Sequence, residues 1–184
     1  MADNKKGFIP PFGGYRNLIT FQKAEIIYDG TIYFTRRFFD KYDRTVSQMV
    51  QAARSGKQNI VEGSMASGTS KEMEIKLTNV ARASLEELKV DYEDFLRVRG
   101  LEVWKKGHPL YKRVTELNKT PNACYATFKN AFEHENPEIC ANAIAGTINM
   151  TSYLLYQQIR NLEAAFLKNG GLREMMSKVR RGKR

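Results

Sequence analysis

The chain has 184 residues, a length that suits a single domain. Hydrophobic residues make up 42% of it, which is enough for a packed core and excludes a disordered chain. The formal net charge of +10 favours an anionic partner, namely nucleic acid, a membrane surface or an acidic protein.

Targeting signals and cysteines point to the cytoplasm. The start of the chain, MADNKKGFIPPFGG, lacks the apolar run of a signal peptide. No stretch reaches about 18 consecutive apolar residues, so we expect no membrane-spanning helix and no membrane partner. Cys124 and Cys140 do not make a disulfide framework. We therefore expect a cytoplasmic protein with reduced thiols.

The first predicted elements are an arm and a helix. Residues 1–17 contain prolines and glycines and are predicted to form an extended N-terminal arm. A helix is predicted over about 18–42, because apolar residues recur there at the three-four spacing of one helical face. Gly30 lies inside this helix, where glycine costs about 1 kcal/mol relative to alanine.

Two further helices are predicted over about 46–65 and 71–98, with a short turn between them. In that turn Gly68 suits a helix end and Ser70 suits the N-cap of the next helix. The third helix has an apolar stripe and an opposite face that is charged throughout, which is typical of a helix with one solvated side. It is predicted to end before Gly100.

The region 101–136 is the least regular, and a short helix is predicted there from Pro109 to about Leu117. Asn136 and Pro137 then suit the cap and first position of a long fourth helix. That helix is predicted to end at about Lys168, before a basic segment.

Together these elements predict an all-α protein, an antiparallel up-and-down four-helix bundle. The bundle is predicted to span 18–169, with an irregular insertion at 101–136 and a basic C-terminal tail at 170–184.

The segment RSGKQNIVEGS, residues 54–64, contains Ser-Gly-Lys but does not fit a phosphate-binding loop. That loop requires glycine at position 51 and serine or threonine at 58, and both positions hold glutamine. On a helix, Ser55, Asn59 and Glu62 share one side, which would meet Lys76, Asn79 or Arg82 on the third helix. We predict a structural polar seam between the two helices, and direct ligand binding is the alternative. The seam residues are Ser55, Asn59, Glu62 and Arg82.

The blocks QAARSGKQNIVEGS and NVARASLEELKVDYEDF resemble a four-helix-bundle family encoded in intervening sequences of bacterial ribosomal RNA. That family has a pattern like R-A-x-x-S-x-x-x-N-I-A-E-G-S, then A-R-x-S-L-x-E-L. Gly56-Lys57-Gln58 and Val61 depart from it. The resemblance covers roughly 18–98 firmly, and the longer chain looks like the suffix-bearing form. Matching residues are Ala53, Ser55, Asn59, Ile60, Glu62, Gly63, Ser64, Ala81, Arg82, Ser84, Leu85, Glu87 and Leu88.

The resemblance implies a helical bundle with no known catalytic activity. It also implies kinship with the accessory variability protein of diversity-generating retroelements. That relative looks like a ring-forming homopentamer with a basic surface, and it binds a reverse transcriptase and nucleic acid. A reverse transcriptase partner and a pentamer are therefore expectations from resemblance alone.

No pattern in the sequence selects a catalytic or metal site, and we expect no enzyme activity, cofactor or metal. The only histidines, His108 and His134, both lie in the irregular segment, and nothing in the sequence selects a catalytic triad that would include either. Cys124, His134 and Cys140 are separated by ten and six positions, unlike the usual pairs of metal ligands. The carboxylates of the third helix form no Glu-x-x-His pair, so a di-iron site is not expected.

Three groups of basic residues are candidates for binding nucleic acid. The first lies near the end of the first helix, where helix-dipole compensation is the alternative explanation. The second flanks Trp104 and Tyr111, which could stack unpaired bases or be packed in the core. The third is the tail, which could bind phosphates or be a disordered solubilising segment. The residues are Arg36, Arg37, Lys41, Arg44, Lys105, Lys106, Lys112, Arg113, Lys178, Arg180, Arg181, Lys183 and Arg184.

The predicted function is that of a non-enzymatic, homo-oligomeric helical bundle that binds RNA or DNA. In one version of this prediction the protein is an accessory factor of a retroelement reverse transcriptase. The alternative is a protein–protein interaction adaptor without direct nucleic-acid binding. Oligomerisation is predicted because Phe34, Phe38, Phe39 and Tyr42 exceed what one helix face buries within a single bundle.

Overall fold

The computed structural model describes residues 12–181, and the protein is all-α over that range, as predicted. No strand occurs among the described residues. A 3-10 turn at Tyr15–Asn17 falls within the predicted arm, of which 1–11 lie outside the described residues. The α-helices are α1 Ile19–Phe38, α2 Arg44–Ala66, α3 Lys71–Val98, α4 Pro109–Leu117, α5 Tyr125–Phe132, α6 Pro137–Asn169 and α7 Leu172–Arg181.

Polar N-caps begin several helices where the sequence predicted them. The Ser70 side chain accepts a hydrogen bond from the backbone N–H of Met73 at the start of α3. The Asn136 side chain accepts one from Glu138 at the start of α6, with Pro137 in the first turn. These caps satisfy backbone donors that have no partner within the helix.

Helix α1 ends at Phe38, four residues before the predicted end. Phe39 adopts an extended backbone, with φ −118° and ψ 155°. The rings of Phe38 and Phe39 then lie 6.4 and 5.3 Å from the ring of Phe95 on α3. These contacts with α3 are tertiary, so helical periodicity could not locate them.

The insertion contains a second helix, α5, which the sequence analysis missed. Its N-cap is Cys124, which is not one of the residues that usually begin helices. Phe128 and Phe132 of α5 are fully buried, and α5 packs against α1 and α6. Phe132 lies against Gly30, where an added Cβ would be 2.5 Å from the ring. The glycine in α1 therefore provides the space that this aromatic ring fills.

Each of the four long helices packs against two others. Helix α1 contacts α2 and α6, and α3 contacts α2 and α6. Thr20 Oγ1 donates to Gln158 Oε1 over 2.9 Å, whereas Gly30 lies near Ile144. The start of α1 is therefore beside the later part of α6, and α1 runs opposite to α6.

Helices α2 and α3 approach each other closely because glycines lie at their interface. A Cβ at Gly56 would be 2.7 Å from Leu85, and one at Gly63 would be 3.4 Å from the Glu74 carbonyl oxygen. The order of these contacts along the two helices makes α2 and α3 antiparallel. None of the helices formed by residues 12–181 is long and apolar enough to cross a membrane.

Candidate nucleic-acid interface

The first basic group lies around the turn between α1 and α2. Arg36 and Arg37 are in the last turn of α1, Lys41 is in the turn, and Arg44 begins α2. All four side chains are exposed. Lys41 Nζ lies 4.7 Å from the centre of the neighbouring Tyr42 ring. This end of the molecule therefore presents several cations to solvent within a short stretch of chain.

Arg99, which is not among the predicted binding residues, adds a cation to the same end. Its guanidinium carbon lies 3.8 Å from the ring centre of Phe95 and 5.3 Å from that of Phe39. Phe39 directly follows α1, so Arg99 at the end of α3 lies beside the α1–α2 turn. The predicted topology could have identified Arg99, because in an up-and-down bundle the C-terminal ends of the first and third helices lie together.

The second basic group lies on the insertion, and its four side chains are exposed. Trp104 beside them is only 6% exposed. Its ring stacks on His108 with centroids 4.7 Å apart, and its Nε1–H donates to Glu138 Oε1. Trp104 is a packed side chain and offers no free face for a base. The side chains of this group are Lys105, Lys106, Lys112 and Arg113.

The third group lies on α7 at the opposite end of the molecule. Lys178, Arg180 and Arg181 are exposed, whereas Lys183 and Arg184 lie outside the described residues. Helix α6 has 33 residues, and a rise of about 1.5 Å per residue gives it a length of about 50 Å. Since α1 ends near the start of α6 and α7 follows its end, the structure separates the first and third groups.

Seven cations of residues 12–181 form ion pairs, and cations outside the predicted binding set, such as Lys57 and Arg99, are unpaired as well. Every ion pair among residues 12–181 joins side chains three or four positions apart, such as Lys76 with Glu72 and Arg160 with Glu163. None of the predicted binding residues in the described range takes part in such a pair. Their charges are therefore exposed and not neutralised by a described carboxylate.

The polar seam is smaller than predicted. Ser55 Oγ lies 3.0 Å from Ser84 Oγ and forms a hydrogen bond between α2 and α3. Asn59 donates to the Ser55 carbonyl in its own helix, and Arg82 donates to Asn79 in its own helix. Glu62 is exposed and forms no ion pair with any described residue. Small residues of α2, such as Gly56 and Gly63, form the contact with α3, and Glu62 lies outside that contact.

The aromatic residues that suggested an oligomer interface are mostly packed within the chain. Phe34 is fully buried, with its ring centre 4.7 Å from that of Phe95. Phe38 and Phe39 are half-buried against the same ring. Only Tyr42 is highly exposed, at 81%. That argument for oligomerisation therefore loses its basis, because one chain accommodates three of the four rings.

The histidines and cysteines serve local structure. His108 Nδ1 accepts from Leu110 and caps α4, and His134 Nδ1 accepts from Asn136. The Cys140 thiol is buried and donates to the Phe132 carbonyl, and burial raises its pKa to about 12. Cys124 is exposed. Among residues 12–181 no three His, Cys, Asp or Glu side chains lie together as metal ligands would.

Comparisons of the chain with protein-family models, with curated proteins and with solved structures found no match.

Proposed function

We propose that this protein is a nucleic-acid-binding helical bundle without catalytic activity. One observation carries the proposal: the predicted binding residues within the described range are all exposed and lack ion-pair partners there. Cations of this kind neutralise phosphates and release counterions, which gives affinity that depends on salt and not on sequence. A net charge of +10 adds long-range attraction to any polyanion.

The proposed architecture is an antiparallel four-helix bundle, formed by α1, α2, α3 and α6. It is supported by the cyclic contacts of these four helices and by the opposite directions of α1 and α6 and of α2 and α3. Helices α4 and α5 cover one side of α6.

We further propose that the chain is of the type encoded in ribosomal RNA intervening sequences. Support comes from the two sequence blocks described above, because the apolar residues that match the family pattern are buried in the protein. Ala53 and Ile60 of α2, and Leu85 and Leu88 of α3, are examples. A homo-oligomer, a pentamer by resemblance, and a reverse transcriptase partner belong to this proposal and are separate from the charge argument.

The test is fluorescence anisotropy with labelled RNA and duplex DNA over a series of salt concentrations. The full chain is compared with a chain ending at Asn169 and with Arg36→Glu/Arg37→Glu. The matched control is Lys76→Glu/Arg160→Glu, which changes the net charge equally at two exposed, ion-paired positions. For each phosphate that a variant no longer neutralises, the slope of log affinity against log salt should fall by about 0.9 on duplex DNA.

We expect the control to bind as the wild type does, while the Arg36/Arg37 variant and the truncated chain bind more weakly with shallower slopes. Equal weakening by the control and the Arg36/Arg37 variant would show that only net charge matters. Absence of binding by the full chain at low salt would refute the proposed function.

A protein–protein adaptor is the second candidate, and exposed apolar side chains favour it. Met73 and Val80 lie seven positions apart on α3 and are both exposed, as is Met65 near the end of α2. Residues seven apart lie on the same side of a helix, so a partner could cover them together. A pull-down from the native host that recovers nucleic acid but no protein would contradict this alternative.

A further inference from the structure

A shallow, open groove of about 730 Å³ runs along the outer face of α1, which contributes six of its lining residues, and α5 contributes Tyr125. The positions contributed by α1 are adjacent pairs that recur every four residues, so they share one side of that helix. The opposite side of α1 faces the core through Ile27 and Phe34, which are fully buried. Side chains that line the groove are Tyr28, Asp29, Ile32, Tyr33, Arg36, Arg37 and Tyr125.

Two tyrosine rings in this groove are suited to stacking. The Tyr125 hydroxyl donates to Glu133 Oε1 over 3.2 Å, and its ring meets Phe132 edge-on at 6.2 Å. These contacts fix the Tyr125 ring before any ligand arrives. Tyr33 is half-buried and has neither a side-chain hydrogen bond nor an aromatic partner within residues 12–181. Its aromatic surface in the groove is therefore not used by the protein itself.

Cations lie along the same groove. Arg36 and Arg37 are exposed, and neither is ion-paired with a described carboxylate. Lys57 Nζ lies 4.3 Å from the ring centre of Tyr28, so a third cation lies beside the groove. Asp29 is the only carboxylate lining the groove among the described residues. Its oxygens could accept hydrogen bonds from the amino groups of bases.

We propose that this groove binds single-stranded nucleic acid, with bases against Tyr33 and Tyr125 and phosphates against Arg36 and Arg37. The inference rests on the function proposed above and adds the type of strand and the residues that distinguish it. In a duplex the faces of the bases are stacked on each other, so tyrosine rings can reach them only in an unpaired strand. The cations alone would bind either form, and the rings are what favour the single strand.

The test uses a labelled oligouridylate of about twelve nucleotides, within the usual range of single-strand sites, and an RNA duplex of the same length. Wild type is compared with Tyr33→Leu and Tyr125→Leu, which remove the aromatic face and keep an apolar side chain. Tyr153→Leu on α6 is the matched control, since Tyr153 is 58% exposed and lies outside the groove. Circular dichroism melting checks that each variant is folded.

We expect each groove variant to bind the single strand about tenfold more weakly, as removal of one stacked base predicts, with duplex affinity unchanged. The Tyr153 variant should bind both as the wild type does. Unchanged single-strand binding by both folded groove variants would overturn the inference and leave the proposed function standing. Failure of the wild type to bind either nucleic acid at low salt would overturn both.

A photocrosslink on the wild-type protein gives a readout that does not depend on how well the variants fold. Oligouridylate containing 4-thiouridine is irradiated with the full chain, and the crosslinked peptides are identified by mass spectrometry. We expect crosslinks to Tyr33 or Tyr125. Crosslinks confined to α7 or to the insertion loop around Lys105 would overturn the inference, because they would place the strand elsewhere.

Discussion

The ammonium group of Lys23 on α1 lies 2.9 Å from the backbone carbonyl oxygen of Asn118 and 3.1 Å from its side-chain Oδ1. Lys23 is only 4% exposed, and it forms no ion pair with a described carboxylate. Asn118 is the C-cap of α4 and donates to Thr147 Oγ1 on α6. A buried cation held by neutral oxygens thus connects the insertion to the core.

The stability of the protein should depend on pH through Lys23. Burial lowers the pKa of this amine below its ordinary value of 10.5. The unfolded chain therefore holds the proton more tightly, and the free energy of unfolding should rise as pH increases from the folded pKa towards 10.5. In Lys23→Met this contribution is absent.

Urea unfolding of wild type and Lys23→Met between neutral pH and about pH 10 measures the effect. The difference in free energy of unfolding, wild type minus variant, should increase with pH. Lys168→Met, at an exposed position, should show no such trend relative to wild type. A difference that stays constant across the pH range would contradict the prediction.

Close packing of α2 on α3 should make Gly56→Ala destabilising. The new Cβ would lie 2.7 and 2.9 Å from Cδ2 and Cγ of Leu85, which is fully buried. Overpacking of this kind costs about 1–3 kcal/mol. Gly107→Ala is the control, because nothing lies within 4 Å of its added Cβ.

Chemical denaturation should show a lower midpoint for Gly56→Ala and a midpoint equal to or above wild type for Gly107→Ala. Adding Leu85→Val to the Gly56 variant should recover part of the stability. If Gly56→Ala were as stable as the wild type, the helices would have to be able to separate by a few tenths of an ångström without cost.

The Tyr92 hydroxyl should contribute to stability from inside the core. It donates to Thr31 Oγ1 over 3.0 Å, and Tyr92 is fully buried. Tyr92→Phe removes this hydrogen bond between α3 and α1, and we expect a decrease in stability of about 1 kcal/mol. Tyr153→Phe at an exposed position should change the midpoint of unfolding little. Equal midpoints for Tyr92→Phe and wild type would show that the hydrogen bond makes no net contribution to the free energy of unfolding.

The two thiols should react at very different rates in the native protein. Hydrogen bonding to the backbone N–H of Thr127 lowers the pKa of the exposed Cys124 thiol, whereas burial raises the pKa of the Cys140 thiol to about 12. A thiol-specific disulfide reagent should therefore modify one cysteine in native buffer and both in denaturant. Cys124→Ser should abolish the native reaction, and fast reaction of that variant would contradict the burial of Cys140.

Much of the fold could be predicted because it depends on local signals. Ser70 and Asn136 cap helices whatever surrounds them, since their side chains bond to backbone donors two or three positions ahead. The missed helix α5 had no such signal, because Cys124 caps it and its eight residues are too few to show helical periodicity. Helix propensity makes Gly30 a weakness of α1, but its role depends on Phe132, about a hundred positions away in the chain.

The candidate nucleic-acid interface was also predictable only in part. The sequence identified the clusters of cations, because clustering can be read from neighbouring positions in the chain. Only the structure shows that none of the clustered cations in the described range is ion-paired. The sequence could not decide whether Trp104 stacks on bases or packs in the core, because its hydrogen bonds are with Glu138 and Asn142 of α6. Nor could it bring Tyr33 and Tyr125 together, since they belong to different helices.

By itself the sequence determined the four long helices, the caps of α3 and α6 and an excess of positive charge, because these depend on residue type and on neighbours within a few positions. Only the tertiary structure decided that Lys23 is buried and where α5 packs. The structure alone also showed that the first and third basic groups lie at opposite ends and that tyrosines of two helices line one groove. Such features arise from contacts between residues far apart in the chain, which periodicity and composition do not encode.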